Sequence, residues 1–189
     1  MDFPNFLPYL ISAVVVIATS LASQYFTFKS VKSEWYKCVE SRIRITPPAY
    51  VFPIVWTTLY VLIWIAFARA LSAFTASTDP LLISLFLVNL LFNVIWCYVY
   101  FGLQKLALAI PVLLVILGTA VAILVMSFSP PLNLSFKGKG YKGTGRGKGK
   151  GDKVIGILLI PYIAWLTFAL ILNILSLRSQ NDKENEKKC

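Results

Sequence analysis

Five apolar stretches, each about as long as a bilayer is thick, constrain this chain more than any other feature. A helix needs about 20 residues to cross the hydrocarbon layer. Stretches of that length lie near 6–28, 49–72, 80–101, 106–128 and 154–177. In lipid, every backbone polar group must be satisfied within its own segment, so such a stretch folds as a helix. The composition agrees: 58% of residues are hydrophobic and 14% charged, against about 45–50% apolar in an ordinary soluble domain. The expected fold is all-α, an integral membrane five-transmembrane-helix bundle over residues 1–178. Asp2 and the lack of a basic residue or a small-residue cleavage site around the first stretch predict a retained span rather than a signal peptide.

The connectors set the topology. "GLQK" between the third and fourth spans is short enough to force an antiparallel hairpin, and "SAFTASTDP" joins the second to the third. The first connector, "KSVKSEWYKCVESRIRIT", is longer and mixed. Residues 137–153, "KGKGYKGTGRGKGKGDK", alternate glycine with basic residues and offer nothing to pack, so they read as an inserted flexible linker. The tail 179–189 is polar and has the composition of disorder.

Charge points to orientation and partners. The net charge is +10, and basic clusters beside membrane helices match anionic lipid headgroups. The bilayer is therefore the expected partner, and nucleic acid is not. Basic residues divide ten to eight between the two sides; without the 137–153 insertion the excess lies with the first connector and the C-terminus. That places the C-terminus in the cytoplasm. The sequence does not say which membrane holds the chain.

Several function classes are excluded. There is no histidine, which removes the commonest general base, metal ligand and haem ligand. Cys38, Cys97 and Cys189 have no metal-site or disulfide-framework spacing. The acidic residues lie in or beside loops, whereas an ion-coupled pump needs ionisable groups at membrane depth. No metal site and no catalytic group is assigned.

Prolines and rings are informative where lipid would ask for neither. Thr46 is placed to cap the second span, with Pro47 and Pro48 in its first turn. Pro53, Pro111 and Pro161 are expected to kink their helices and open a space between them. Pro53, Trp56, Tyr60, Trp64 and Phe67 recur at helical spacing on one face. So do Asn89, Asn93, Trp96 and Tyr100, and again Tyr162, Trp165, Ala169 and Asn173. Amides facing lipid would lack partners, so the three stripes should face inward. They serve either as helix–helix packing or as the lining of a pocket for a flat, apolar ligand. Trp35 and Trp64 are expected to anchor at the membrane interface. Gly118 and Ala122 form a small-xxx-small pair in the fourth span that suits a homodimer contact.

These motifs resemble the TspO/MBR family, the translocator proteins or tryptophan-rich sensory proteins. "PPAYVFPIVWTTLY" is similar to its Pro-Pro-x-Trp-Val-Phe signature, with Tyr50 where the family usually has tryptophan. "NVIWCYVYFGL" and "LLIPYIAWLTFALILN" resemble its third-span and fifth-span runs, and "WYK" at 35–37 sits where the family has Trp-Tyr. The resemblance covers residues from about 5 to 178. It implies a five-helix bundle, often dimeric, with a pocket opening toward the first connector. It implies binding of porphyrins, and in some members sterols or benzodiazepine-type drugs. Carried over by motif, the ligand site would comprise Tyr50, Phe52, Trp56, Asn93, Trp96, Tyr162, Trp165, Ala169 and Leu172. Trp56 and Trp165 would stack on the ligand, Asn93 would offer an amide, and Arg42 and Arg44 would meet carboxylates at the mouth.

The leading expectation is thus a membrane receptor or carrier for a tetrapyrrole, needing no cofactor of its own. Without histidine, iron ligation is not expected, and a metal-free ring such as protoporphyrin fits better. Sterol binding ranks lower, because "NILSLR" lacks the aromatic that the family's sterol pattern wants. The alternative is an enzyme that degrades porphyrin in light, with the pocket tryptophans as redox partners.

Overall fold

The computed structural model describes residues 3–43, 45–48, 50–76, 80–129 and 152–181. The expected flexible linker, up to residue 151, and the expected disordered tail beyond residue 181 lie outside the described residues. The elements are α1 (Phe3–Val31), α2 (Glu34–Arg42), α3 (Val51–Ala76), α4 (Pro80–Cys97), α5 (Leu106–Phe128) and α6 (Lys153–Asn181). A π-helical turn, Tyr98–Gly102, prolongs α4. Among the described residues there is no strand, and all helices but α2 are long and apolar enough to cross a membrane.

The five long helices close into a ring in the order α1, α3, α6, α5, α4. Sequence neighbours α3 and α4 are thus not adjacent in the ring; each packs on α1 and they face one another across the centre. The inward side of α5 shows why the ring closes. Leu106, Ala109, Leu113, Ile116, Ala120 and Ile123 recur at three and four and are all buried. Leu108, Leu114, Val121 and Val125 on the other faces are exposed, as a lipid-facing surface requires. Helices α5 and α6 pack tightly at Gly156, where an added Cβ would collide with the Ser127 hydroxyl and the Phe128 ring.

The inward amides tie the ring together. Asn89 on α4 donates to the Ile116 carbonyl at 2.9 Å and to Thr119 Oγ1 at 2.8 Å, both on α5. The Tyr162 hydroxyl on α6 donates to Asn89 Oδ1 at 2.9 Å and accepts from Asn93 Nδ2 at 2.6 Å. Three helices therefore share one buried polar chain. At the end of the bundle away from α2, Arg69 Nε meets Asp152 Oδ2 at 2.8 Å. Asp152 also caps α6, accepting from the Val154 amide at 3.1 Å.

Three local expectations are corrected. First, Thr46, Pro47 and Pro48 precede the helix rather than start it: α3 begins at Val51, whose amide bonds the Pro48 carbonyl at 2.9 Å. Pro53 then falls in the first turn, where its missing N–H is one of the donors every helix leaves free, so it has no reason to bend α3. Pro111 and Pro161 do lie inside α5 and α6. Second, the first connector is not only a loop. Ser33 receives the Tyr36 amide at 3.3 Å and starts α2, which buries Trp35, Tyr36 and Val39 against the bundle. Trp35 thus packs inward, edge-on to Tyr100 at 6.0 Å, and is no outward interface anchor. Third, Cys38 on α2 is disulfide-bonded, whereas Cys97 is free and buried.

Candidate functional site

A cavity lies under α2, where α1 ends, α3 begins, and α4 and α6 finish. Its lining follows from helical spacing. Phe52 and Trp56 stand four apart on α3; Trp96 and Tyr100 stand four apart at the end of α4; Trp165, Ala169, Leu172 and Ser176 follow one face of α6. The π-helical turn breaks the ordinary register and brings Phe101 in beside Tyr100. Tyr36 and Val39 of α2 form the roof, and Thr46 closes one side.

The rings pack on each other. Trp96 stacks on Tyr100 at 5.1 Å with an interplanar angle of 27°. Phe52 meets Trp165 edge-on at 5.9 Å, and Tyr36 touches both Phe52 (6.3 Å) and Phe101 (6.2 Å). The space left among them is about 30 Å³, room for on the order of a single water molecule. Binding anything of drug size or more, which takes about 300–1,000 Å³, requires these rings and α2 to move apart. The wall is mostly apolar, but the Thr46 hydroxyl and the Trp96 indole N–H are buried there without a hydrogen-bond partner. Ser176 Oγ donates to the Leu172 carbonyl at 2.8 Å and lies 3.4 Å from the Tyr100 hydroxyl.

Of the residues carried over by motif, Phe52, Trp56, Trp96, Trp165, Ala169 and Leu172 meet at this cavity. The other three do not. Tyr50 lies just before α3 and is 68% exposed. Asn93 and Tyr162 are fully buried, one layer deeper, and are spent on each other in the polar chain; Tyr162 reaches the cavity wall only through its contact with Trp56, at 6.5 Å between centroids. The Arg42 side chain and Arg44 lie outside the described residues. Sequence reasoning placed Tyr100 on an inward stripe but not in the ligand site, and did not assign Tyr36, Val39, Thr46, Phe101 or Ser176 to that site. Spacing could have found Ser176, four beyond Leu172. Phe101 carried no such signal, because its position depends on the π-helical turn.

Comparison with known proteins bears on this architecture. A model of the TspO/MBR family matches residues 11–177. The chain is 31% identical over 170 residues to "Tryptophan-rich protein TspO" of Archaeoglobus fulgidus, covering 89% of this chain and 94% of that one. It is 27% identical over 145 residues to "Tryptophan-rich sensory protein" of Cereibacter sphaeroides, covering 77% and 76% respectively. Against "Protein CrtK" of Rhodobacter capsulatus it is 27% identical over 140 residues, or 74% of each chain. With five apolar helices closed into one ring and a match that runs from the first of them to the last, this integral membrane protein belongs to the TspO/MBR family.

Proposed function

We propose that the chain is a receptor or carrier for a planar apolar ligand, a metal-free porphyrin before a sterol or a benzodiazepine-type drug, held in the cavity under α2. One observation carries the reading: indoles from three separate helices, Trp56, Trp96 and Trp165, converge on one cavity. A flat conjugated ring slides between such walls, and each stacked aromatic contributes about 0.5–1.5 kcal/mol beyond area burial. Thr46 and Trp96 offer hydrogen bonds that nothing in the protein takes up. The closed cavity fits a ligand admitted by displacement of α2, which buries only a few side chains.

Titrating protoporphyrin against intrinsic tryptophan fluorescence tests this. Saturable quenching is expected, and replacing Trp56 and Trp165 together by Leu should weaken it at least about tenfold, the loss of two stacked contacts. Unchanged affinity in that variant would overturn the site. The same rings serve the alternative reading, photo-oxidative breakdown of the porphyrin. Illuminating the complex separates the two: bleaching no faster than with free tryptophan leaves binding alone.

A further inference from the structure

Cys38 sits in the middle of α2, between Tyr36 and Val39, the two side chains that roof the cavity. It is disulfide-bonded. Its partner follows by elimination. The chain has three cysteines, and Cys97 is free and buried. That leaves Cys189, at the C-terminal end of the sequence. The topology agrees: five spans put the first connector and the C-terminal end on one side of the membrane, and α2 touches α6. From Asn181, where α6 ends, the chain as far as Cys189 can span about 26 Å at about 3.3 Å per residue, enough to return to α2.

Ring contacts hold the buried face of α2. Trp35 meets Tyr100 at 6.0 Å, and Tyr36 meets Phe52 at 6.3 Å and Phe101 at 6.2 Å. Such contacts slide and reseat at small cost. The ion pair of Lys37 with Glu34, at 2.8 Å, is exposed and lies within α2, so it does not fasten the helix to the bundle. A covalent bond at Cys38 adds a restraint at the centre of the roof, the part that must rise before a ligand enters.

We propose that a disulfide between Cys38 and Cys189 straps α2 over the cavity, and that a dithiol reductant unfastens it. A thiolate of the dithiol attacks one sulfur of the pair, and the other leaves as a cysteine thiolate. The second thiol of the reductant then closes a cyclic disulfide and frees the attacked cysteine. Two electrons pass from the dithiol to the protein, and its two protons end on the two cysteine sulfurs. In an oxidising compartment the strap is fastened, and in a reducing one it is open. The consequence for ligand entry rests on the reading of this cavity as the ligand site; the bond itself does not. Cys97, buried on α4, takes no part in the exchange.

The test uses the full chain in phosphatidylcholine vesicles, oxidised or treated with dithiothreitol. Peptide mapping of the oxidised chain should recover one fragment joining the Cys38 and Cys189 peptides, which dithiothreitol separates. Amides of α2 should exchange hydrogen at least about threefold faster after reduction, since local opening sets that rate. Cys189→Ser should exchange at the faster rate without reductant, and Cys97→Ser should respond to dithiothreitol as the unaltered chain does. Protoporphyrin association in stopped-flow fluorescence should accelerate along with α2 exchange. Absence of the joined fragment, or α2 exchange that ignores dithiothreitol, would overturn the strap. Association that stays constant while α2 exchange accelerates would overturn its control of entry. If α2 exchange responds but protoporphyrin binds in neither state, the strap stands and the ligand reading fails.

Discussion

Tyr162→Phe tests whether the buried polar chain holds the bundle or serves the ligand. The substitution keeps the ring and its contact with Trp56 and removes only the hydroxyl. That hydroxyl donates to Asn89 Oδ1 at 2.9 Å and accepts from Asn93 Nδ2 at 2.6 Å. Asn89 keeps its bonds to Ile116 and Thr119. Asn93 keeps nothing, because its Oδ1 already lacks a partner. Interhelical hydrogen bonds in membranes contribute about 0.6 kcal/mol each, and a stranded buried amide costs about 1–3 kcal/mol. The expected destabilisation is therefore about 2–4 kcal/mol. Titration with sodium dodecyl sulfate in mixed micelles, followed by tryptophan fluorescence and far-UV circular dichroism, reads it. Adding Asn93→Leu removes the stranded amide and should restore about 1 kcal/mol. Protoporphyrin affinity should shift by less than about twofold in either variant, since both residues lie a layer behind the cavity wall. An unchanged unfolding midpoint for Tyr162→Phe would refute the structural role. A large affinity loss in Asn93→Leu at constant stability would make Asn93 a ligand contact instead.

Four further outcomes are expected. Gly156→Val should destabilise by about 1–3 kcal/mol through overpacking against Ser127 and Phe128, read by the same detergent titration; a neutral result would mean α5 and α6 can part at that level. Gln104 is a non-glycine residue at φ 57° in the α4–α5 turn, so Gln104→Gly should raise stability by about 1 kcal/mol, and a fall would show the Gln side chain holds the turn. Trp35→Ala removes the contact of α2 with Tyr100 and should speed protoporphyrin association in stopped-flow fluorescence; an unchanged rate would mean the ligand does not enter past α2. The Gly118 position faces open space on α5, and we propose this face as the homodimer contact: Gly118→Cys should crosslink in membranes, and recovery as monomer only would count against it.

The fold was legible because its governing constraint is one-dimensional. A bilayer demands about 20 apolar residues per crossing, and the stretches near 80–101 and 106–128 match the observed α4 with its π-helical turn and α5 almost to the residue. The inward stripes were legible for the same reason, since an amide in lipid has nowhere to go: Asn89 and Asn93 are buried. What failed depended on a few residues of register. Thr46 and the double proline looked like a helix start, but α3 begins three residues beyond Pro48, and that shift turned Pro53 from an expected kink into an ordinary first-turn proline. Helix α2 was missed because its charges hid a short apolar face, Trp35, Tyr36 and Val39 behind the cap Ser33, all three buried. Phe101 could not be placed, because a single extra residue in the turn at Tyr98–Gly102 decides which way it points.

The two layers of the site differ in how easily they deform, and that difference locates the motion binding requires. Below the cavity, Asn89, Asn93 and Tyr162 hold α4, α5 and α6 by directional bonds that lose their energy if the helices shift by an ångström or so. Above it, Tyr36, Phe52, Trp96, Tyr100 and Phe101 touch through ring faces and edges, which can slide and reseat at small cost. A ligand forcing its way between Trp56 and Trp165 would therefore displace the aromatic roof and α2 before it parted the floor. Part of its binding energy would go into that opening, and its apparent affinity would fall by the fraction of chains already open. The roof, more than the tryptophan walls, would then set how tightly a given flat ring is held.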